Sequence, residues 1–183
     1  MDTMFFALLE LLRASLRDKR ALKTDNSVLL IYPPERELEF REYLLDTLVP
    51  ELEAKRIPHR LLDLTGFLFE GLTAEQVEDL QDEEFADYRW LRQGLSKRVE
   101  SMLLARLKGE AVLIPGGNVL VYSTVALYPL VRFGEVLREL RDLDARIILA
   151  FPGEDRGGKL HFMSQADGAN YLALKLFARR DAA

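Results

Sequence analysis

The chain predicts an α/β fold: a mainly parallel sheet of about five strands with helices on both faces, a Rossmann-like three-layer arrangement with a helical insert in the middle. Three observations predict it. Short strand-like segments at Val28–Tyr32, His59–Asp63 and Arg146–Phe151 alternate with longer stretches of helical period. The first of these segments is wholly apolar, which suits a central strand covered on both faces. Thr73–Lys108 is long, charged and nearly free of glycine, as a helical insert would be.

Taken in order, the chain starts with an amphipathic helix whose Phe5, Leu8, Leu9, Leu12 and Leu16 recur at helical spacing. Its charge order is not that of a signal peptide: Asp2 precedes the apolar run, Glu10 interrupts it and the basic residues follow. Lys23–Ser27 is a polar break, and Val28–Tyr32 is a strand stopped by Pro33-Pro34. Residues 35–56 read as a crossover helix with Leu38, Leu45, Leu48 and Leu52 on one stripe, kinked or split by Pro50. His59–Asp63 is the next strand and runs into Leu64–Glu70.

Thr73 and Gln76 form a capping-box pattern at the head of one or two helices. The residues turned inward there are Val77, Leu80, Phe85, Trp90, Leu91, Leu95, Val99, Met102, Leu103 and Leu107. Ala111–Pro115 reads as a third strand ending in Gly116-Gly117, with a resumption at Asn118–Tyr122. A helix over about Arg132–Leu143 carries the stripe Phe133, Val136, Leu137, Leu140 and Leu143. The strand Arg146–Phe151 then breaks at Pro152-Gly153-Glu154 into a glycine-rich loop, and Tyr171–Phe177 is the last strand. Residues 1–177 are expected to form a single domain and 178–183 a loose tail.

Of the 183 residues 49% are hydrophobic and 30% charged, with a mean hydropathy of -0.05, so the chain can bury a core and is not disordered. A net charge of -5 makes direct nucleic-acid binding an unfavoured main task. The absence of cysteine removes thiol catalysis, iron–sulfur clusters and disulfides. With only His59 and His161, no histidine-rich metal cluster can be assembled. No stretch has the roughly 20 apolar residues of a membrane span, and a soluble, cytoplasmic protein is expected. The composition leaves a homo-oligomer open.

Two patterns carry chemistry. Gly153-Glu-Asp-Arg-Gly-Gly158-Lys159 matches a phosphate-binding loop, but Leu160 stands where the magnesium-binding Ser or Thr belongs. Lys159–Met163 then alternates like a strand, whereas phosphate binding needs a helix that starts at the lysine. The segment reads as a hairpin. Glu35, Asp63 and Glu154 are placed near carboxyl ends of strands, where a doubly wound sheet opens a crevice. With Gly116, Gly117 and Gly153 they make a candidate crevice, and three carboxylates could hold magnesium for phosphoryl chemistry. The plainer reading makes Asp63 a turn cap, Glu35 a helix-start acid and Gly116-Gly117 a sharp bend. The acidic block Glu75–Asp87 followed by Arg89, Arg92, Lys97, Arg98 and Arg106 suits a solvated helix, with docking of a charged partner as the alternative. No G-x-S-x-G elbow is present, and the residues assign no catalytic, cofactor or metal role.

Three segments resemble the BrxB family of bacterial BREX phage-defence systems. They are Leu30–Pro34 with its following helix and Leu61–Leu64, then Leu113–Val131 with Ala126-Leu-Tyr-Pro129, and Leu149–Glu154 through Asp167–Leu172. The combination FPGE…DG-x-NYLA is the most specific part. The resemblance implies a small accessory protein without assigned catalysis, in an apparatus that methylates host DNA and blocks phage replication. It further implies contact with the alkaline-phosphatase-like PglZ protein of the same operon. No catalytic residue is carried over.

Overall fold

The computed structural model describes residues 1–13, 26–70, 72–163, 165–166 and 172–178, with the side chains of 80–91 outside that description. Strands β1 (Ser27–Tyr32), β2 (His59–Asp63), β3 (Asn118–Tyr122), β4 (Arg146–Arg156) and β7 (Leu174–Phe177) form a parallel sheet in the order β2-β3-β4-β1-β7. The short strands β5 (Lys159–Phe162) and β6 (Gln165–Ala166) extend it in antiparallel fashion from the end of β4. This is the α/β three-layer fold that the alternation of apolar runs and helical segments predicts.

Connections sort the helices by face. The step from β1 to the far edge at β2 carries α2 (Glu37–Tyr43) and α3 (Val49–Ala54) onto one side. There Phe40, Leu44, Leu48 and Leu52 pack with α1 (Asp2–Arg13) on Val28, Leu30 and Tyr32. The steps β2–β3 and β3–β4 run in the opposite direction, and α4 (Ala74–Val112) and α5 (Phe133–Arg138) cover the other side. Leu29, Ile31, Val119, Val121, Ile147 and Leu149 face Val99, Leu103, Leu107, Phe133, Val136 and Leu137 in that second core. Strands whose residues alternate between two cores are apolar along most of their length, and β1, β3 and residues 146–153 are buried at every position, with Ser27, Asn118 and Arg146 the polar residues at their starts. Opposite crossover directions on opposite faces are what right-handed βαβ units require.

Several local expectations are met with adjustments. In α1, Phe5, Leu8 and Leu12 are buried, while Leu16 lies outside the described residues. The crossover helix is divided into two pieces, the second beginning one residue before Pro50. A π-helical turn at Leu44–Leu48 joins α2 to α3, and Pro50 follows in the first turn of α3. Its buried stripe is Phe40, Leu44, Leu48 and Leu52, whereas Leu38 is 72% exposed and Leu45 38%. A repeat of four is longer than the 3.6-residue turn, and a π turn takes up the surplus and keeps these four on one face.

Thr73 does open α4 through a capping box: its hydroxyl accepts from the Gln76 amide (3.2 Å) and its own amide donates to Gln76 Oε1 (3.1 Å). α4 is one helix of 39 residues, so Ala111-Val112 is helical and Leu113–Pro115 follows it as turn, not strand. Periodicity alone cannot separate such a short apolar run from a helix end, and Ala111 continues the buried Leu103–Leu107 stripe by four. The third strand is Asn118–Tyr122. Gly116-Gly117 therefore precedes a strand and sits at the amino ends of the sheet, away from the expected crevice. α5 is shorter than expected, with Leu140 buried in the turn after it. The inward face of α4 holds at Val99, Leu103 and Leu107, with Leu95 and Met102 partly buried; Val77 is half-buried. Leu80, Phe85, Trp90, Leu91 and Tyr171 lie outside the described side chains, as do 179–183 of the tail, while Ala178 is buried.

Candidate binding crevice at the carboxyl ends of the strands

β4 does not break at Pro152. It runs on to Arg156, turns through Gly157-Gly158 and returns as β5, with Arg156 paired to Lys159. Both glycines have positive φ (62° and 86°), the backbone of a two-residue hairpin turn, and Asp155 Oδ1 accepts from the Gly158 amide (2.7 Å). A strand follows Lys159, so no helix N-terminus is there to meet a phosphate. Gly153 has a separate reason: a Cβ on it would lie 2.1 Å from the His161 carbonyl oxygen of β5. That close approach lets Phe162 reach back over Phe151 at a centroid distance of 5.2 Å, edge-on at 73°.

β1 and β4 are neighbours at which the chain changes face: β1 leaves for β2 over the α2 and α3 side and β4 is reached from β3 over the α5 side, which makes their carboxyl ends the switch point of the sheet. A crevice of about 700 Å³ opens there between Tyr32–Glu35 on one side and Gly153–Arg156 on the other, with Phe177 of β7 at its edge. The structure thus brings Glu35, Gly153 and Glu154 together. Asp63, at the end of β2, and Gly116-Gly117 do not line it.

The charges of the crevice are largely matched within it. Arg156 donates to Glu154 Oε1 through Nε (2.8 Å) and Nη2, and Lys175 lies 3.5 Å from Asp155 Oδ2. Glu35 occupies the 3₁₀ turn Pro34–Arg36 that leads into α2, as a helix-start acid. The alternation across the Gly-Gly hairpin is the signal that could have placed Asp155 and Arg156 here, because a two-residue loop with positive φ extends its strands up to the turn.

A second polar group lies over the ends of β2 and β3. Asp63 Oδ1 accepts from the Thr65 amide (2.9 Å), the cap expected of it. Burial would raise the Asp63 carboxyl, but the Ser123 hydroxyl, Thr65 and the charge of Arg41 outweigh it and hold it below its ordinary range. Ser123 Oγ is itself buried without a partner of ordinary hydrogen-bond geometry, so it acts on Asp63 as a nearby hydroxyl. Tyr122 is pushed up by burial and by Asp63. On β1, Tyr32 donates to Glu37 Oε2 (2.5 Å), and burial with the Glu37 charge keeps that phenol neutral. The carboxylates Glu35, Asp63 and Glu154 are therefore divided between two places, and among the described residues no three metal-ligating side chains cluster. A three-carboxylate metal centre is not assembled.

No helix among the described residues is long and apolar enough to cross a membrane. A comparison of the chain with family models, with curated proteins and with solved structures finds no match.

Proposed function

We propose that this chain is a non-catalytic interaction protein, an accessory component of a BREX-type antiviral defence system that works in the cytoplasm through contacts with a PglZ-like protein. The family assignment rests on the BrxB-like segments of the sequence. The observation that carries the interaction reading is β7. It is the last strand of the parallel order, and Leu174 (37%) and Phe177 (48%) are exposed along it, with Leu172 (51%) exposed just before it. An edge strand with apolar side chains in water is a liability unless something pairs with it or covers it. The FPGE part of the resemblance lies beside this edge, since Phe151 and Pro152 pair with Ile31 and Tyr32 of β1, the strand on which β7 rests.

Co-purification with the PglZ-like protein of the same operon tests the reading. A complex that persists at micromolar concentration, and that is lost in Leu174→Lys and Phe177→Lys, is expected. If no complex forms at that concentration, the partner is wrong. A complex indifferent to both substitutions removes β7 as its surface.

A further inference from the structure

On the α4 side of the sheet, a cleft of about 550 Å³ lies between one face of that helix and the segment Tyr128–Arg132, floored by Phe162. The spacing of Arg92, Ser96, Lys97 and Glu100 puts them on one face of α4. Arg132 enters from the opposite wall. Arg92, Lys97 and Arg132 are all exposed, and none forms a salt bridge among the described residues. By contrast Arg36, Arg60, Arg106, Arg138 and Arg156 are each matched to a carboxylate.

Three cations on two walls of one cleft, unmatched among the described residues, are out of keeping with a chain of net charge -5. The only carboxylate of the lining among the described residues, Glu100, accepts the Arg132 amide through Oε1 (3.4 Å), and Arg92 Nη2 donates to the Pro129 carbonyl at 3.5 Å. Tyr128 supplies a half-buried ring at the wall, held in place by the tilted Phe162 ring at 6.0 Å. Gln93, Ser96 and Gln165 add neutral hydrogen-bonding groups. The cleft falls in the size range of small-ligand pockets, roughly 300–1,000 Å³.

We infer that this cleft binds a phosphorylated nucleoside. Arg92, Lys97 and Arg132 take its phosphates, because guanidinium forks and an ammonium match phosphate oxygens in charge and geometry. Tyr128 offers its face to the base, with the amide side chains of Gln93 and Gln165 within reach of the base edge. The ligand is either a free nucleotide or the terminal nucleotide of a strand, which share this chemistry. The inference is independent of the β7 contact, which lies across the sheet order from α4.

The test uses the full chain at low ionic strength in titration calorimetry, with ATP, inorganic pyrophosphate and a short 5′-phosphorylated thymidine oligomer as probes. Saturable ATP binding is expected. Arg92→Ala and Arg132→Ala should each weaken it about tenfold, the effect of losing one charge-assisted contact. Tyr128→Leu should weaken ATP several-fold and leave pyrophosphate unchanged. Arg13→Ala, on α1 at the other face, should change nothing. ATP binding tighter than that of the oligomer assigns a free nucleotide; tighter oligomer binding with a steep salt dependence assigns a strand end. The inference is overturned by the lack of saturable ATP binding at millimolar concentration. It is also overturned by an Arg92→Glu, Arg132→Glu double variant that binds as the parent does, or by pyrophosphate binding as tightly as ATP.

Discussion

Gly153→Ala is the substitution whose outcome the structure fixes most tightly. The added methyl carbon would lie 2.1 Å from the His161 carbonyl oxygen and 2.9 Å from Phe151 Cε1. Carbon and oxygen in contact stay about 3.3 Å apart, so β4 and β5 must separate by roughly 1 Å at the Gly153–Phe162 pair. One or two ladder hydrogen bonds are weakened, at about 1 kcal/mol each. Phe162 moves off Phe151 and off Phe133, whose ring centroids lie 5.2 and 5.3 Å from it. Partial loss of such a buried aromatic contact costs a further 1–2 kcal/mol or so. The sum is about 2–4 kcal/mol, which in a chain of this size lowers Tm by roughly 5–12 °C. Urea and thermal unfolding followed by circular dichroism measure both. The controls are Gly94→Ala and Gly109→Ala in α4, where an added Cβ meets nothing within 4 Å. There the same substitution should stabilise, by about 0.5–1 kcal/mol. If Gly153→Ala unfolds within 0.5 kcal/mol or so of the parent, the close approach of β4 and β5 is not real.

Other outcomes follow from single contacts. Arg146 is 2% exposed, with Nη1 donating to Asn118 Oδ1 (3.1 Å) and Nη2 unpartnered, so it is a buried cation with no carboxylate partner among the described residues. Arg146→Met should therefore raise stability by about 1–2 kcal/mol in urea unfolding, and a loss of that size would count against the assignment. Asp63 and Glu110 are both held below their ordinary values of 3.8 and 4.5, Glu110 by Arg60 and Arg106 against the opposing effect of burial. A depressed carboxyl stabilises the fold above its unfolded pKa and loses that contribution as pH falls through the folded one. The urea midpoint should accordingly be level near neutrality and drop below about pH 4.5, with Glu110→Gln flattening the drop. Thr73→Ala should cost about 1 kcal/mol locally. It should speed amide exchange over Ala74–Val77 and leave the global transition in place, because the described residues of that turn are exposed or half-buried.

The fold was legible wherever burial was two-sided. Val28–Tyr32 and Ile147–Phe151 are the middles of central strands, and burial on both faces is why they are apolar at every position. Ala111–Pro115 misled because an apolar run of five satisfies a strand and a helix end alike. Leu38 misled because the π turn shifts the phase of the stripe, and no side chain announces where a π turn falls. At the crevice, Glu35 and Glu154 could be placed from strand ends alone, since neighbours in a parallel sheet deliver their carboxyl ends to one rim. Asp63 could not be separated from them without the strand order, which puts β2 three places from β1. The cleft along α4 was illegible for a related reason. Arg92 and Lys97 look like ordinary members of a solvated charge run until Arg132, far along the chain, is seen opposite them.

The length of α4 has a mechanical consequence. Its 39 residues span about 58 Å, while a five-residue strand covers only about 17 Å. Its described core contacts lie at Leu95 and beyond, in the carboxyl-terminal half of the helix. A rigid rod clamped at one end amplifies motion at the clamp. A tilt of about 10° at the Val99–Leu107 seam, within the scatter of helix packing angles, swings the Ala74 end, about 44 Å away along the helix, by about 8 Å. Whatever alters the packing under Val99, Leu103 and Leu107 is thus reported at a distance, at the end of the chain's longest lever.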